Sequence, residues 1–513
     1  MRQLPIAKTE LQKIVEGNFL YVDKTKFIKD LVDAKHEYYF LSRPRRFGKS
    51  LFVDTLRAAF AGEKELFKGL YLENNWDWSV KYPVITISFG GGTVLNSEEL
   101  NEHFSYILQK NAEKNGVELK LNFIPSRFDE LINKCAEKFK QPVVILIDEY
   151  DKPLLDNLTE PNVEEIRKTL SGFYSVLKDA SANLKFVLLT GVSKFSKTSI
   201  FSKLNNLTDI SLIPDYADIC GITQHDLETV FADYLKDVNL KEIKEWYDGY
   251  NFRGSNLYNP YDVLMFLWQK EYNTYWFETG TPTFLLELIK KRKFFIPNLE
   301  ELTISKNQLS EFQLNNIDLN SLLFQTGYLT YKSEFRLGAH TYFRLQIPNN
   351  EVRVGLNDYL LNMFYANGSD TNSKTRLYKS VYLSIAENRP QDLEAAFQSF
   401  FASIPYEWYK NNDIAHFEGF YSSMFYAFFA AQGFEIIPED FTNKGRIDMT
   451  IRTDSAIFIF ELKMKTNITN ALQQIKNRKY HEKYLAENKT IFLIGIEFDE
   501  DVKNISEFEY EKL

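Results

Sequence analysis

The sequence is poor in cysteine, with only Cys135 and Cys220 in 513 residues. The two lie far apart along the chain and match no metal-binding spacing, so the sequence offers no cysteine-based metal site. Sparse, unpatterned cysteine is typical of proteins from a reducing compartment. We therefore expect a cytoplasmic protein.

Long hydrophobic runs are also missing. No apolar stretch approaches the roughly 18 residues that a membrane-spanning helix needs. The N-terminal residues MRQLPIAKTELQKIVEG lack the apolar core of a signal peptide. These absences predict a soluble, intracellular protein with no membrane partner.

An excess of positive charge is absent too, because 70 acidic residues outweigh 61 basic ones and the net charge is −9. This balance excludes nucleic-acid binding by overall charge, so any such binding must use local basic patches. The aromatic content of 15% is high, and we expect most of these rings in the core.

What the first half does have is an alternation of short apolar strands and amphipathic helices up to about residue 235. This pattern predicts an α/β fold with a parallel sheet covered by helices. The predicted strands are 38–42, 83–89, 142–148, 185–191 and 208–213.

The rest of the chain changes character twice. The pattern over residues 236–365 predicts a helical region that ends in a helix and a hairpin. This arrangement resembles a small helical lid or a winged-helix unit. The polar break at 366–375 predicts a hinge or linker. Residues 376–513 read as a second α/β module whose last hundred residues predict helix, strand, strand, helix, strand.

A basic loop follows the first predicted strand in FLSRPRRFGKSLF. Gly48, Lys49 and Ser50 stand between a strand and a helix, where backbone N–H groups face phosphate, a lysine reaches its oxygens and a hydroxyl binds Mg²⁺. Arg43 stands where the general phosphate-loop pattern has glycine. The alternative interpretation is a basic loop that only opens a helix.

Acidic and hydroxyl groups end two further strands. PVVILIDEYD places Asp148 and Glu149 at a strand end, where an aspartate holds Mg²⁺ and a glutamate polarises the attacking water. Thr190 and Ser193 follow another strand and are placed to sense a γ-phosphate. This order of polar strand ends predicts binding of a nucleoside triphosphate.

Near the C-terminus, AIFIFELKM predicts a buried strand that has two charged residues, Glu461 and Lys463, near its end. We predict a hairpin with RIDMTI in which Arg452 pairs with Ser455, so that Asp448 lies diagonal to Glu461 on the face that Lys463 shares. Diagonal Cβ atoms lie within about 8 Å, so both carboxylates reach one metal ion. Such a trio supports metal-assisted phosphodiester hydrolysis. The alternative is an ion-pair cluster that also includes Arg446.

Two helices flank this hairpin in sequence. HFEGFYSSMFYAFFAAQGF is almost wholly apolar apart from Glu418, and a buried helix seldom keeps an unpaired carboxylate. We therefore expect Glu418 to complete the metal shell. The helix NALQQIKNRKYHEKY offers Gln474, Lys476, Arg478 and Lys479 to phosphate.

These segments together resemble a prokaryotic family of predicted AAA-ATPase-like proteins that carry a C-terminal PD-(D/E)XK nuclease-like domain. The resemblance covers nearly the whole chain and rests on YVDKTKFI, LSRPRRFGKSLF, VVILIDEYD, LTGVSKFSKTSIFS, WYDGYNF, HFEGFYSS, GRIDMTI, FIFELKM and ALQQIKNRKY. It implies an AAA-like N-terminal domain and a nuclease-fold C-terminal domain.

The resemblance also implies roles for particular residues. The implied nuclease signature is Asp448, Glu461 and Lys463, with Glu418 and Gln474 as helix residues. The resemblance implies Lys49 and Ser50 as nucleotide ligands and Asp148 with Glu149 as the acidic pair at the strand end. We predict that Arg43, Arg46, Gly48 and Thr190 also contribute to nucleotide binding. In some related nucleases a tyrosine follows the glutamine by four residues; here Arg478 stands there, and Tyr480 lies six residues after Gln474.

The expected function is therefore an ATPase joined to a nuclease, with ATP and Mg²⁺ or Mn²⁺ as cofactors. Nucleic acid, DNA more than RNA, is the expected partner, and a homo-oligomer is left open. One alternative is a nucleotide-regulated binding or signalling protein whose nuclease fold has lost catalysis. Another is an NTPase switch whose C-terminal domain binds proteins.

Overall fold

A five-stranded parallel sheet organises the N-terminal part of the computed structural model. Its strands stand in the order β2-β3-β4-β1-β5. They are β1 (Tyr38–Ser42), β2 (Val84–Ser88), β3 (Val143–Asp148), β4 (Leu184–Gly191) and β5 (Thr208–Asp209). All five predicted strands are present, although the last is only two residues long.

The structure describes residues 2–194, 206–279, 289, 295–309, 318–364, 371–404, 418–465 and 470–513. The chain divides into two compact units, Met1–Leu285 with Thr303–Asn349, and Leu286–Leu302 with Asn350–Leu513. The boundaries expected at 235/236 and 365/376 stay a prediction.

Helices cover the parallel sheet. They are α1 (Leu11–Glu16), α2 (Thr25–Asp33), α3 (Lys49–Phe60), α4 (Ser97–Asn115), α5 (Ile124–Phe139), α6 (Lys152–Leu155) and α7 (Val163–Asp179). All six residues of β3 are buried, as expected of a strand with helices on both faces. Phe104, Phe128 and Phe173, from α4, α5 and α7, stack with ring centroids 3.8 and 4.6 Å apart.

The rest of the first unit is mostly helical, with two small sheets. Its helices are α8 (Gln224–Val230), α9 (Leu240–Tyr247), α10 (Pro260–Gln269), α11 (Tyr275–Glu278), α12 (Lys306–Leu309) and α13 (Leu319–Thr326). The strands are β6 (Ile222–Thr223), β7 (Tyr250–Asn251), β8 (Asn256–Tyr258), β9 (Leu302–Ser305), β10 (Thr330–Leu337) and β11 (His340–Gln346). The predicted helix and hairpin are α13 and β10–β11.

The second unit contains a mixed sheet in the order β12-β13-β14-β15-β16. The strands are β12 (Glu435–Thr442), β13 (Gly445–Arg452), β14 (Ala456–Met464), β15 (Thr490–Asp499) and β16 (Asn504–Lys512). The helices are α14 (Asn350–Phe364), α15 (Thr371–Ala386), α16 (Asp392–Ser403), α17 (Glu418–Ala431) and α18 (Ala471–Arg478). Only β14 and β15 are paired in parallel.

One expectation about this unit was wrong. The sequence predicted three strands, but β12 and β16 add two edge strands, which Pro438 and alternating charges had disguised as loop. Of the polar break predicted as a hinge or linker, residues 371–375 begin α15, and the role of this segment stays a prediction. Residues 366–370 lie outside the described residues.

No helix among the described ranges is both long and apolar enough to cross a membrane.

Helix α18 packs unusually close to β15. A Cβ added at Gly495 would lie 2.2 Å from the backbone nitrogen of Leu472, so only glycine permits this approach. Glu497 on the same strand accepts a hydrogen bond from the Ala471 N–H at 3.0 Å. Together, the two contacts fix the start of α18 on the sheet.

We predict that Gly495→Ala destabilises the second unit by about 1–3 kcal/mol, because the backbone of α18 must shift to admit the methyl group. Thermal unfolding and limited proteolysis would measure the loss. The control is Gly172→Ala in α7, where an added Cβ meets nothing within 4 Å. That variant should gain slightly from higher helix propensity; equal stability of the two variants would contradict the prediction.

Candidate nucleotide and metal sites

The loop between β1 and α3 presents backbone N–H groups at a helix N-terminus. Gly48 has a φ of 95°, a conformation that side chains rarely tolerate. Lys49 and Ser50 begin the 12-residue helix α3 directly after it. This arrangement suits the binding of phosphate oxygens.

The side chain of Lys49 is held inside this loop. It is 6% exposed, and its Nζ donates to the carbonyl oxygens of Arg43 and Pro44, each at 2.8 Å. Burial lowers the pKa of the Lys49 ammonium, while the charges of Asp148 and Glu149 oppose that shift. A phosphate oxygen at this position would give the buried ammonium a stronger acceptor than either carbonyl.

Arg43, the departure from the general phosphate-loop pattern, is bonded to the protein's own backbone. Its guanidinium donates to the carbonyl oxygens of Ser42, Ser211, Tyr216 and Ala217 at 2.8–3.0 Å. Its Cζ lies 3.8 Å from the ring centre of Phe252. The side chain thus anchors the loop, and contact with phosphate would require these bonds to break.

Arg46 lies on the exposed side of the same loop. It adopts a φ of 61°, and its Cζ lies 4.9 Å from the ring centre of Tyr261. It is the exposed arginine of the predicted nucleotide ligands, so it is free to move toward phosphate in a way that Arg43 is not.

The strand ends beside the loop carry the predicted acidic groups. Asp148 is 7% exposed and accepts a 2.5 Å hydrogen bond from the Thr190 hydroxyl. Burial raises the pKa of the Glu149 carboxyl, and the charge of Asp148 raises it further. The structure therefore brings Lys49, Asp148 and Glu149 into one electrostatic site, while the Thr190 hydroxyl is directed to Asp148.

Sequence reasoning missed Asp151. This residue is 1% exposed, and its Oδ2 accepts hydrogen bonds from the backbone N–H and the hydroxyl of Ser193, both at 2.6 Å. It ties the exit of β3 to the exit of β4. The only available signal was its spacing of three residues from Asp148 in IDEYD.

The hairpin of the second unit has a different register from the predicted one. The structure pairs Arg452 with Ile457 and Met449 with Phe460, two residues away from the predicted pairing of Arg452 with Ser455. The turn is longer because Thr453 and Ala456 bond across it, N to O, at 2.9 Å. The regular pairing then ends at Met449, one residue before Asp448 is reached.

Asp448 fills the gap where the pairing stops. Its Oδ2 accepts a hydrogen bond from the Leu462 N–H at 2.8 Å. The Asp448 side chain thus takes the place of a backbone carbonyl as the partner of Leu462, the residue between Glu461 and Lys463. Burial raises the pKa of Asp448, and the Leu462 hydrogen bond opposes that shift. The carboxylate therefore stands at the strand position where the sequence predicted a metal ligand.

Gln474 joins the other two signature residues. Its amide nitrogen donates to Glu461 Oε1, and its amide oxygen accepts from Lys463 Nζ at 2.5 Å. Glu461 is 3% exposed, and its Oε2 is buried without a hydrogen-bond partner. Burial raises the pKa of Glu461, and the charge of Asp448 raises it further.

Glu418 is not the buried carboxylate that the sequence predicted. It is the first residue of α17 and is exposed, a position that the helix dipole favours for an acid. Its charge nevertheless raises the pKa of both Asp448 and Glu461. The three carboxylates therefore lie near enough to interact.

The residues present fit a hard divalent cation. Within the described ranges no three His, Cys, Asp or Glu side chains are grouped to hold a metal. Mg²⁺, however, keeps several waters and is commonly held by one or two carboxylates. Asp448 and Glu461 supply that pair, and the unpartnered Oε2 of Glu461 is a ready ligand.

Tyr480 belongs to this site, although its sequence spacing from Gln474 argued against it. Helix α18 ends at Arg478, and Lys479 turns the chain with a φ of 50°. The Tyr480 side chain is 2% exposed; burial raises the pKa of its hydroxyl, and the charge of Glu461 raises it further. A tight turn after α18 thus brings a buried tyrosine into the electrostatic surroundings of Glu461.

The fold and the two sites define a P-loop, ATPase-like protein with a nuclease-like second unit. Residues 5–201 match the family model described as predicted AAA-ATPase, and residues 416–508 match the PD-(D/E)XK nuclease superfamily. The chain is 44% identical over 517 aligned residues to an "Uncharacterized protein in vnfD 5'region" of Azotobacter chroococcum mcd 1, with 100% of this chain and 99% of that protein covered. The chain therefore belongs to the family of AAA-ATPase-like proteins that carry a C-terminal PD-(D/E)XK domain, which confirms the resemblance.

We predict that the metal-free protein loses stability as pH rises above the ordinary range of a carboxyl group. A raised pKa in the folded state stabilises folding only at lower pH, and that contribution is lost as pH passes the raised value. Each unit of raised pKa corresponds to about 1.4 kcal/mol. Mg²⁺ should restore the lost stability, and its effect on thermal unfolding should grow with pH.

Glu461→Gln is the matched variant for this measurement, since it keeps the shape of the side chain and removes the charge. It should flatten the pH dependence in EDTA and abolish the growth of the Mg²⁺ effect. A wild-type profile that rises with pH in EDTA would contradict the assignment.

Proposed function

We propose that the chain is an ATP-binding AAA-like ATPase whose C-terminal domain cleaves phosphodiester bonds of nucleic acid with Mg²⁺ or Mn²⁺, under the control of bound nucleotide. The observation that carries the nuclease function is the buried Glu461. Its second oxygen lacks a partner, and Gln474 joins its first oxygen to Lys463. A stability role alone gives no reason to bury a carboxylate half-satisfied.

Each residue of this site has a task in that reaction. Asp448 and Glu461 would hold the cation, and Gln474 bonds to both Glu461 and Lys463 and so positions them relative to each other. The Lys463 ammonium orients the attacking water or donates to the phosphate oxygen on which charge develops. A bound Mg²⁺ or Mn²⁺ would polarise the phosphate and lower the pKa of a water.

The first unit supports the nucleotide half of the proposal. Lys49 would exchange the two loop carbonyls for β- and γ-phosphate oxygens, and Ser50 would contribute its hydroxyl to the accompanying Mg²⁺. Asp148 would hold that ion through water, and Glu149 would orient the attacking water. Thr190 would act through Asp148, to which its hydroxyl donates.

Control by nucleotide is supported by contacts of the phosphate loop within the first unit. The Phe47 ring lies 5.2 Å from Tyr250 and 5.5 Å from Phe252. Pro44 lies 2.8 Å from the position of a Cβ on Gly327, which caps α13. A ligand regulates only if it favours one arrangement of such contacts over another.

The alternative function is a nucleotide-regulated binding or signalling protein with an inactive nuclease fold. The absence of a three-member ligand group in the described ranges favours it. Under this alternative, Asp448 and Glu461 would respond to Mg²⁺ without cleavage of any nucleic acid.

We predict that the purified protein cleaves DNA with Mg²⁺ or Mn²⁺ and that Asp448→Asn and Lys463→Ala each lower the rate on the order of a hundredfold or more. Asp448→Asn keeps an oxygen for the Leu462 N–H, so its fold should be preserved. The control is Lys465→Ala, which removes a surface partner of Asp499 and should leave cleavage unchanged. Equal rates for all three variants would contradict the assignment.

We predict that saturating ATP and Mg²⁺ raise the thermal stability of the wild type by mass action and that Lys49→Ala removes this shift, while the exposed Lys13→Ala does not. Glu149→Gln should bind ATP but hydrolyse it slowly. Nuclease rates of Glu149→Gln and wild type should therefore differ when ATP is present. Equal rates with and without ATP would show that nucleotide does not control cleavage.

A further inference from the structure

One large apolar side chain of the second unit lies in an unexpected place. Phe441 is 75% exposed, the highest value among the exposed large apolar side chains of the described residues. It lies on β12, an edge strand, where an exposed apolar group invites aggregation and adds nothing to the core. Its position therefore calls for an explanation other than folding.

The surroundings of Phe441 are basic. We define the hairpin surface as residues 439–446 and 478–483, which are joined by a bond from Arg478 to the Lys444 carbonyl oxygen at 3.2 Å and by one from Lys483 to the Phe441 carbonyl oxygen at 3.2 Å. This surface has five basic and three acidic side chains. The opposite edge strand, β16, instead carries Glu507, Glu509 and Glu511. A polyanion is thus attracted to the hairpin edge and repelled from the other.

Several of these cations are available to a ligand. Arg446 pairs with Glu439 at 3.0 Å with 52% of its side chain exposed, and Lys479 lies 3.7 Å from Glu482 with 59% exposed. Exposed ion pairs of this kind contribute little to stability. Phosphate groups would replace the carboxylate partners at little cost.

The hairpin surface adjoins the proposed nuclease site. Phe441 stands directly across from Arg446 in the sheet, and Arg446 precedes Asp448 by two residues, about 7 Å along a strand. Both residues lie on β13, where side chains two residues apart point to the same face of the sheet. A strand of nucleic acid with its phosphate near Asp448 would thus pass beside Phe441.

We propose that the hairpin surface binds an unpaired segment of nucleic acid, with a base stacked on Phe441 and the adjoining phosphates held by Arg446 and its neighbouring lysines. The placement beside the reacting phosphate rests on the proposed nuclease function. Aromatic side chains stack any base with an open face, whereas bases within a duplex are already stacked. The substrate class is therefore single strands or the frayed ends and flaps of duplexes.

The test is binding of the full-length protein to a short fluorescent single strand, measured by anisotropy in EDTA so that no cleavage occurs. Phe441→Ala should weaken binding by about fivefold to a hundredfold, and Phe441→Trp should retain it. A blunt duplex should be affected much less, and DNA and RNA single strands are compared in parallel. Val502→Ala, another exposed apolar residue of this unit (68% exposed), is the control and should bind as the wild type does.

Salt dependence separates stacking from charge. Arg446→Gln should reduce the slope of log affinity against log salt concentration by about 0.7 for a single strand. Phe441→Ala should leave that slope unchanged, since it removes no charge. Unaltered single-strand binding by Phe441→Ala, or no binding of nucleic acid by the wild type, would overturn the inference.

Two further outcomes are informative. Light scattering would show whether Phe441→Ala changes the oligomeric state; if it does, a second copy of the chain occupies this edge and the inference is wrong. Stacking on Phe441 without any cleavage would support the inference and refute the nuclease function. Cleavage that is indifferent to Phe441 would do the reverse.

Discussion

The burial of like charges at Asp448 and Glu461 is the constraint around which the second unit is arranged. Two desolvated carboxylates repel each other, and the protein offsets this with the Leu462 N–H and with Gln474. Gln474 reaches Glu461 only if α18 lies close against the sheet. Gly495 permits that approach, and a hydrogen bond to the carboxylate of Glu497 holds the first turn. The residual charge is what a cation would neutralise, so the same features that strain the metal-free site prepare it for a ligand.

The first unit contains the opposite case, a buried positive charge on the Lys49 ammonium. Lys49 bonds to two neutral carbonyl oxygens of its own loop, which are weaker partners for an ammonium than anionic oxygens. Asp148 and Glu149 interact with it electrostatically. One unit thus holds a buried ammonium whose hydrogen bonds go to neutral carbonyl oxygens, and the other holds two buried carboxyl groups that lie close together. Nucleotide phosphate and a divalent cation would be the ligands of complementary charge for these two sites.

Much of this architecture was predictable because it depends on local pattern. The continuous apolar run 142–148 and the strand–loop–helix around Gly48 carry their signals within a few residues. The predicted hairpin register was wrong by two residues. The length of the turn depends on a hydrogen bond from the Thr453 hydroxyl to the Ala456 carbonyl oxygen, which the sequence pattern does not show. The edge strands were missed because they carry charges, and Glu418 was misplaced because exposure at a helix start is not written in composition. The position of Tyr480 depends on the turn at Lys479. A rule based on helical spacing does not include such a turn.

Arg43 shows why the departure from the general loop pattern does not argue against nucleotide binding. A glycine at that position would make the loop backbone more flexible. Arg43 instead donates hydrogen bonds to four carbonyl oxygens and packs against the ring of Phe252. The buried guanidinium of Arg43 therefore fixes the start of the loop, and Lys49 holds the loop only through hydrogen bonds that a phosphate could replace. Any rearrangement of the loop must also move the aromatic cluster of Phe47, Tyr250 and Phe252, because packed interiors shift between discrete states and do not deform gradually. Next to Tyr250, Gly249 lies against the carbonyl of Pro348, one residue before Asn349 ends the first unit. The phosphate loop, the aromatic cluster and the segment around Gly249 are thus joined by direct contacts within the first unit.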